Sequence, residues 1–399
     1  MAADAVPAPP DQARCGPPPP PDRADVVVIG GGVVGTAVAH QAAEAGMAVV
    51  LVEAGEIASG ASGRNAGMVY QGAAETDGRS VIPLAVLSNR LLAAYTAAWG
   101  DDAFEYERCG DLDLLLDTGD PRGWAERVAG ERRHGLDVEL IDGARARALV
   151  PALSRRVVAA RWCPSDARIL PYKLAFAQAR VARRAGAHVA THTRAVAIAT
   201  AAGRTRPGAR RVTAVVTDRG SVRTAWVVNA ANAWAPEVAA MVGVHGVPIA
   251  PSRGQILVTA PTAPLIGVNL NLRGEYWRQT AGGQVVLGGG FRRDPRVATF
   301  GRAVDTTAAH TYARSAAEAT PAILGLPVVR MWAGTMGFTP DHRPLIGESA
   351  AVAGFVYACG YTGVGNAYAA GTGLVVSELM RGQTPSVCLD GASPARFAL

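Results

Sequence analysis

Residues 26–35 read VVVIGGGVVG. Four apolar residues rich in β-branching favour an extended strand, and three glycines cannot prolong it. The run VVGTAVAHQAAE that follows has the small apolar residues of a packed helix, so a strand over 26–29 is expected to turn into a helix over 33–44. The glycines of that joint are spaced Gly30-x-Gly32-x-x-Gly35. After Gly46 a second apolar run, 49–52, reads as a parallel strand that ends on Glu53, 18 residues past the last glycine. Strand, glycine turn, helix, strand, acid is the order of a dinucleotide cradle. Gly30 permits the tight turn, Gly32 lets a pyrophosphate approach the backbone, and Gly35 lets the helix pack on the sheet. The helix N-terminus offers N–H groups to phosphate. Glu53 can accept from an unmodified ribose diol and would repel a 2′-phosphate, which implies FAD or NAD.

The rest of the composition narrows the class. A chain of 399 residues can bury a large core and suggests two domains. The net charge of +6 comes from arginine, with a single lysine, Lys173, and no dense basic run, so nucleic acid is not an expected partner. The cysteines, at 15, 109, 163, 359 and 388, form no CxxC pair, and the histidines form no metal-ligand cluster. No metal site is expected. Residues 1–24, with PPPPP at 17–21, read as a disordered Pro-rich tail without the features of a secretory signal. No apolar run is long enough to span a membrane. These features suggest a cytoplasmic protein with reduced thiols.

Residues 59–68, SGASGRNAGM, place a second small-residue loop directly after the ribose acid. NAD needs nothing there, whereas FAD has a long isoalloxazine arm to guide. Four further stretches agree: RRAGAHVATHTRAVAI at 183–198, WVVNAANAW at 226–234, PSRGQIL at 251–257, and the C-terminal pair WAGTMGFTPDHRPLIG at 332–347 and GFVYACGYTGVGNAYAAGTGLVVSELMRG at 354–382. With SPARF at 393–397, the chain resembles over about residues 25–397 the flavoprotein family of amino-acid and amine oxidoreductases. That family contains D-amino acid oxidase, glycine oxidase and sarcosine oxidase. Asn232 departs from the family, which has glycine there.

The resemblance implies FAD, and contacts to it from Gly30, Gly32, Gly35, Glu53 and Ala54, from Ser62, Arg64, Asn65, Ala66, Gly67 and Met68, and from Val196, Ala230, Ala231 and Trp234. It extends them to Gly334 and to the second glycine joint, Gly360, Thr362, Gly363, Val364, Gly365 and Asn366. By itself that joint reads as a strand over 355–358, a turn, and a helix to about Met380 capped by Gly382, with a helix N-terminus facing the site. The implied reaction moves a hydride from a carbon bearing an amine to the flavin, leaving an imine. The residue near the position of covalent flavin attachment in sarcosine oxidase is Gly334, so FAD is expected to be non-covalent.

Departures bear on the substrate. Where D-amino acid oxidase and glycine oxidase have a carboxylate-binding Arg after WAG-x, this chain has Met336. Ala367 and Val286 fall where sarcosine oxidase has lysines that bind carboxylate and activate oxygen. Arg278 in EYWRQ is therefore the first candidate to hold a substrate carboxylate, with Arg292 and Arg293 behind it. Strand alternation puts either Tyr276 or Trp277 into the pocket, and Tyr276 is the choice. His342 is a candidate base or a turn residue. Arg253 reads as a structural partner.

The architecture expected is α/β (α+β overall). A discontinuous Rossmann-like FAD-binding domain covers 25–105, 155–235 and 332–399. A second, mostly antiparallel β-sheet substrate domain covers 106–154 and 236–331, with strands near 254–259, 275–279 and 284–289 and a helix over 305–320. Residues 201–211 suggest an exposed hairpin loop. The partners implied are a small-molecule amine or amino acid and O2 or another electron acceptor. Homo-oligomers and a partner subunit both stay open. The alternatives are a 2-hydroxy-acid oxidase of the same fold, a flavin subunit of a multi-subunit dehydrogenase, and a tRNA-modifying domain.

Overall fold

The computed structural model describes residues 19–73, 78–202, 210–289 and 303–399. Two sheets organise it. The first has six strands in the order Leu345–Glu348, Phe355–Cys359, Trp226–Asn229, Val26–Ile29, Val49–Val52, His188–Ala190. All neighbours are parallel except Leu345–Glu348, which runs antiparallel to Phe355–Cys359. Three of the four inner strands, Val26–Ile29, Val49–Val52 and Phe355–Cys359, are buried at every residue, which is why they read as unbroken apolar runs. The helix Val33–Glu44 crosses from the first strand to the second.

The helix Gly365–Met380 packs between Val33–Glu44 and Ile82–Trp99. Two glycines make this possible. A Cβ on Gly373 would lie 2.5 Å from the Ala37 carbonyl oxygen, and one on Gly371 would lie 2.8 Å from that of Leu84. A small side sheet pairs Ala195–Ala202 with Arg210–Thr217, so a hairpin does flank the expected loop, whose residues 203–209 lie outside the described set.

The second sheet has eight strands in the order Val328–Phe338, Ala250–Pro261, Gln284–Gly289, Glu275–Gln279, Asn269–Leu272, Asp111–Leu116, Val157–Cys163, Glu139–Asp142. Only Asn269–Leu272 and Asp111–Leu116 are parallel, so the sheet is mostly antiparallel. One face carries Trp277, Leu257 and Leu287 against the helix Thr306–Ala319, capped by the Asp305 carboxylate. The other face carries Ile256, Val286, Tyr276 and Trp332 against Ala66 of the first domain.

Sheet pairing cuts two expected boundaries differently. Val328–Phe338 pairs along its length with Ala250–Pro261, so a boundary at 332 would split a strand of the second sheet, and one at 155 would assign Val157–Cys163, which pairs with Asp111–Leu116 of the second sheet, to the first domain. The ordered chain also starts before residue 25. Arg23 bridges to Arg223, the Ala24 N–H donates to the Arg223 carbonyl, and Ala24 is buried, so residues 20–24 form no free tail. Residues 1–18 lie outside the described set. Among the described residues, the cysteines are free thiols, no cluster of metal-ligating side chains occurs, and no helix is long and apolar enough to cross a membrane.

Candidate active site

The glycine joint is built as the sequence implies. Gly30 has φ +116°, and a Cβ on it would lie 2.7 Å from the Ala230 carbonyl oxygen. A Cβ on Gly35 would lie 1.9 Å from the Gly30 oxygen, so only glycine lets the helix sit this close to the strand. Gly35 therefore shapes the cradle from behind. Gly30, Gly31 and Gly32 line an elongated cavity of about 450 Å³.

Glu53 closes one side. Its carboxylate accepts from the Gly31 N–H (2.7 Å) and the Gly55 N–H (2.8 Å), which fixes the side chain at the cavity wall. Ser62 closes another. Its hydroxyl accepts from the Val33 N–H (3.0 Å) at the helix N-terminus. Neither contact is visible in local spacing, because Ser62 lies 29 residues from Val33.

Asn65 and Asn366 join two distant turns. Asn366 Nδ2 donates to Asn65 Oδ1 (2.8 Å), and the same oxygen accepts from the Gly67 N–H (2.8 Å). Gly67 has φ +77°, and a Cβ there would meet the Ile169 carbonyl at 2.0 Å. Asn232, the departure from the family pattern, has φ +47°, a conformation that asparagine tolerates. Its side-chain oxygen accepts from the Gly360 N–H (3.1 Å), so the substitution ties the two glycine turns together.

Of the residues expected to contact a dinucleotide, Gly30, Gly32, Glu53, Ala54, Ser62, Asn65, Ala230, Ala231, Trp234, Gly363, Gly365 and Asn366 line this cavity, and Met336 joins them. Val196 does not. It is exposed, and Thr193, Arg194 and Ala195 form the wall instead. Ala66, Gly67, Met68, Gly360, Thr362 and Val364 lie outside the lining, in the chain segments next to Asn65, Tyr361, Gly363 and Gly365, which form it. Gly334 underlies Arg64, whose Cβ would be 3.0 Å from a Cβ on that glycine. Thr335 and Tyr361 line the cavity without having been anticipated.

The roof face of the second sheet carries the reaction-side candidates. Tyr276 and Arg278 share it, while Trp277 points the other way and donates to Thr320 Oγ1 (3.2 Å). Burial holds the Tyr276 hydroxyl protonated, far above its ordinary pKa. A side chain on Gly288 would meet the Tyr276 ring at 2.7 Å, so that glycine sets where the ring sits.

Arg278 is 6% exposed. Its Nε donates to the Ala66 carbonyl, and among the described residues no carboxylate lies within ion-pair distance of it, Glu107 and Glu105 acting only from farther away. Burial, with the Arg168 guanidinium nearby, lowers its pKa to about 10. A buried guanidinium without a counter-charge is costly, and is a ready receptor for an anion. Two roof groups also hold the cofactor-side loop, since the Trp332 indole donates to the Arg64 carbonyl (3.1 Å).

His342 is exposed in a turn at φ +58°, outside the cavity lining, with its neighbour Asp341 paired to Arg343 and Arg396. This placement makes it a turn residue and removes it as a base at this site. Arg253 lies in the strand Ala250–Pro261 opposite Thr335, outside the lining, with its Nε buried and unpartnered. Arg292 and Arg293 lie outside the described residues.

The cavity fits FAD. Glycines leave the backbone bare where a pyrophosphate would lie, an acid stands at the position of a ribose, and a second glycine turn with Asn366 faces the far end. Comparison with known proteins agrees. The family model described as DAO, FAD dependent oxidoreductase, matches residues 25–379. The hydrogen cyanide synthase subunit HcnC of Pseudomonas aeruginosa is 27% identical over 74% of this chain and 68% of its own length. Glycine oxidase of Geobacillus kaustophilus is 26% identical over 88% of this chain and 91% of its own. The crystal structure of L-proline dehydrogenase from P. horikoshii superposes with a TM-score of 0.86 at 28% identity, covering 94% of this chain and 98% of that one.

Proposed function

The chain belongs to the DAO family of FAD-dependent oxidoreductases, and from that premise we propose that it oxidises the C–N bond of an amino acid or a secondary or cyclic amine to an imine. The observation that carries the reading is Arg278. It is a buried guanidinium with no direct ion pair among the described residues, on the sheet face that roofs the cofactor-side loop, two residues from Tyr276. A substrate carboxylate satisfies it in bidentate fashion. Ile256, Val286 and Met336 give the surroundings an apolar character, which suits a substrate bearing hydrocarbon rather than a second charge.

Bound FAD supplies a two-electron sink for hydride. The protein's own part is positional. Arg278 and the Tyr276 hydroxyl fix the carboxylate, so the substrate α-carbon is held in one orientation under the roof. The amine must arrive neutral to release its lone pair, and low polarity around Ile256 and Val286 favours that form. The helix Gly365–Met380 starts at the cavity, and its N-terminus favours negative charge developing there.

This reading places Met336 in the wall where related oxidases have an arginine, with Arg278 in its stead. HcnC is named as a subunit, which supports a partner subunit as one setting for this chain. An anaerobic screen of purified holoprotein tests the reading, following loss of the flavin's visible absorbance with cyclic, N-methyl and D- and L-amino acids and with 2-hydroxy acids. Bleaching by an amine acid is expected. Bleaching by hydroxy acids alone would overturn the proposal. Readmitting air then separates fast recovery, an oxidase, from slow recovery, a dehydrogenase.

A further inference from the structure

A second cleft opens on the roof face, at the edge strand of the second sheet. It encloses about 330 Å³ and is lined by Ala58, Ser59, Gly63, Arg64, Arg330 and Trp332. Val328–Phe338 is the outermost strand, so alternate residues Arg330, Trp332 and Gly334 present one face. The missing side chain of Gly334 leaves room for the stem of Arg64, whose Cβ and Cδ would lie 3.0 and 3.4 Å from a Cβ there. Arg64 Nη1 donates to the Gly60 carbonyl (3.2 Å), and its own carbonyl accepts from the Trp332 indole (3.1 Å). The Arg330 guanidinium lies 5.7 Å from the centre of the Trp332 ring. Two guanidinium groups and an indole thus meet in one cleft, with the exposed Arg330 at its open side.

This chemistry selects a planar anion. The indole offers a stacking surface, the guanidinium groups offer charge, and the volume suits a molecule of one or two rings. The cleft also borders the cofactor cavity. Ser59 lines both, and the same strand enters the cavity at Thr335 and Met336, about 13 Å along from Trp332 at roughly 3.3 Å per residue.

We propose that this cleft is a second ligand site, for a small anionic aromatic electron acceptor that reoxidises the enzyme. The proposal rests on the chain binding FAD and is independent of which amine is oxidised. The step balances: the reduced cofactor gives up two electrons and one proton, solvent gives a second proton, and the acceptor leaves in its two-electron-reduced, doubly protonated form.

The test uses holoenzyme reduced anaerobically with stoichiometric dithionite, so no substrate is needed. The probe is the dichlorophenolindophenol anion, with a neutral benzoquinone and O2 as controls. Arg330 is exposed and outside the cofactor lining, so Arg330→Gln and Arg330→Glu should fold. Loss of one charge-assisted contact should raise the half-saturating concentration of the anionic probe about tenfold in Arg330→Gln, and further in Arg330→Glu. Rates with the neutral quinone and O2 should stay unchanged. Binding of the probe to the oxidised protein, followed by tryptophan fluorescence quenching, should weaken by the same factor and should weaken with added salt. Equal effects on charged and neutral acceptors, or unchanged probe affinity in both variants, would overturn the proposal. So would a shift confined to the amine's KM, which would make the cleft a substrate entrance. Failure of every amine to bleach the flavin would leave this result intact and count only against the amine reading.

Discussion

Replacing Arg278 with methionine should make the protein more stable and much less active. The guanidinium is buried, and its pKa falls by more than two units to about 10, mainly through burial. At about 1.4 kcal/mol per unit, keeping it charged at neutral pH costs folding about 3 kcal/mol. Methionine removes that cost but strands the Ala66 carbonyl that Nε satisfies, a loss of about 1–2 kcal/mol. The net gain is about 1–2 kcal/mol, read in a chain of this length as a rise in Tm of roughly 1–2 °C. The folded pKa is depressed, so the unfolded chain binds more protons only between about pH 10 and 12.5. Below that window the penalty is fully present and independent of pH. The Tm difference should therefore be constant across neutral pH. Catalysis should move the other way. Losing a desolvated guanidinium–carboxylate pair costs about 3–5 kcal/mol, or about 10²–10³-fold in kcat/KM. An amine lacking a carboxylate should lose little. Thermal unfolding of wild type and variant, beside kcat/KM for matched acid and non-acid amines, decides the matter. A fall in Tm with equal loss on both amines would show that Arg278 only fastens the roof to Ala66.

Gly35→Ala should yield colourless protein, because its Cβ would sit 1.9 Å from the Gly30 oxygen and push the helix off the cradle; flavin absorbance per mole of protein checks this, and full occupancy would contradict it. Met336→Arg should raise kcat/KM for glycine about tenfold or more by adding a second anion contact at the cavity wall, and no gain would place residue 336 away from the substrate. Burial pushes the Asp341 carboxyl up, but hydrogen bonds and charge from Arg396 and Arg343 outweigh it and hold its pKa at about 2. Its contribution of about 2 kcal/mol is complete above pH 4 or so and disappears as the pH falls toward 2. Asp341→Asn should therefore be less stable at neutral pH, with an acid-unfolding curve flatter over that window; parallel curves would sink the assignment.

The first strand, helix and second strand stand at the residues their pattern implies, because each is defined by neighbours in the chain. The strands Glu275–Gln279 and Gln284–Gly289 were legible for the same reason, and alternation, being local, required Tyr276 and Trp277 to face opposite ways without deciding which. What the sequence hid depends on separation. Ser62 reaches Val33 across 29 residues, and Asn366 reaches Asn65 across 301. Gly371 and Gly373 look like ordinary helix interruptions until the facing carbonyls of Leu84 and Ala37 are in place. Strand ends behaved likewise. Val328–Phe338 runs past the expected boundary, and Val157–Cys163 pairs with the other domain's sheet, because long-range strand partners, not local composition, decide both. The backbone contact expected at Val196 fell on Thr193, Arg194 and Ala195, a shift that pleat and twist decide. His342 was ambiguous because a turn histidine and a base share one letter, and only its exposure separates them.

The central sheet has a temporal consequence. Its four inner strands come from residues 26–29, 49–52, 226–229 and 355–359, and the helix that packs on the first crossover ends at Met380. At ribosomal speeds of about 10 residues per second, the first strand waits roughly 20 s for Trp226–Asn229, the strand that closes its second edge. Throughout that interval four apolar residues that end fully buried have one edge unpaired. Vectorial synthesis therefore delivers the earliest-made element into its final place last, and cellular yield should respond to chaperone supply and translation rate more than to the stability of the finished protein.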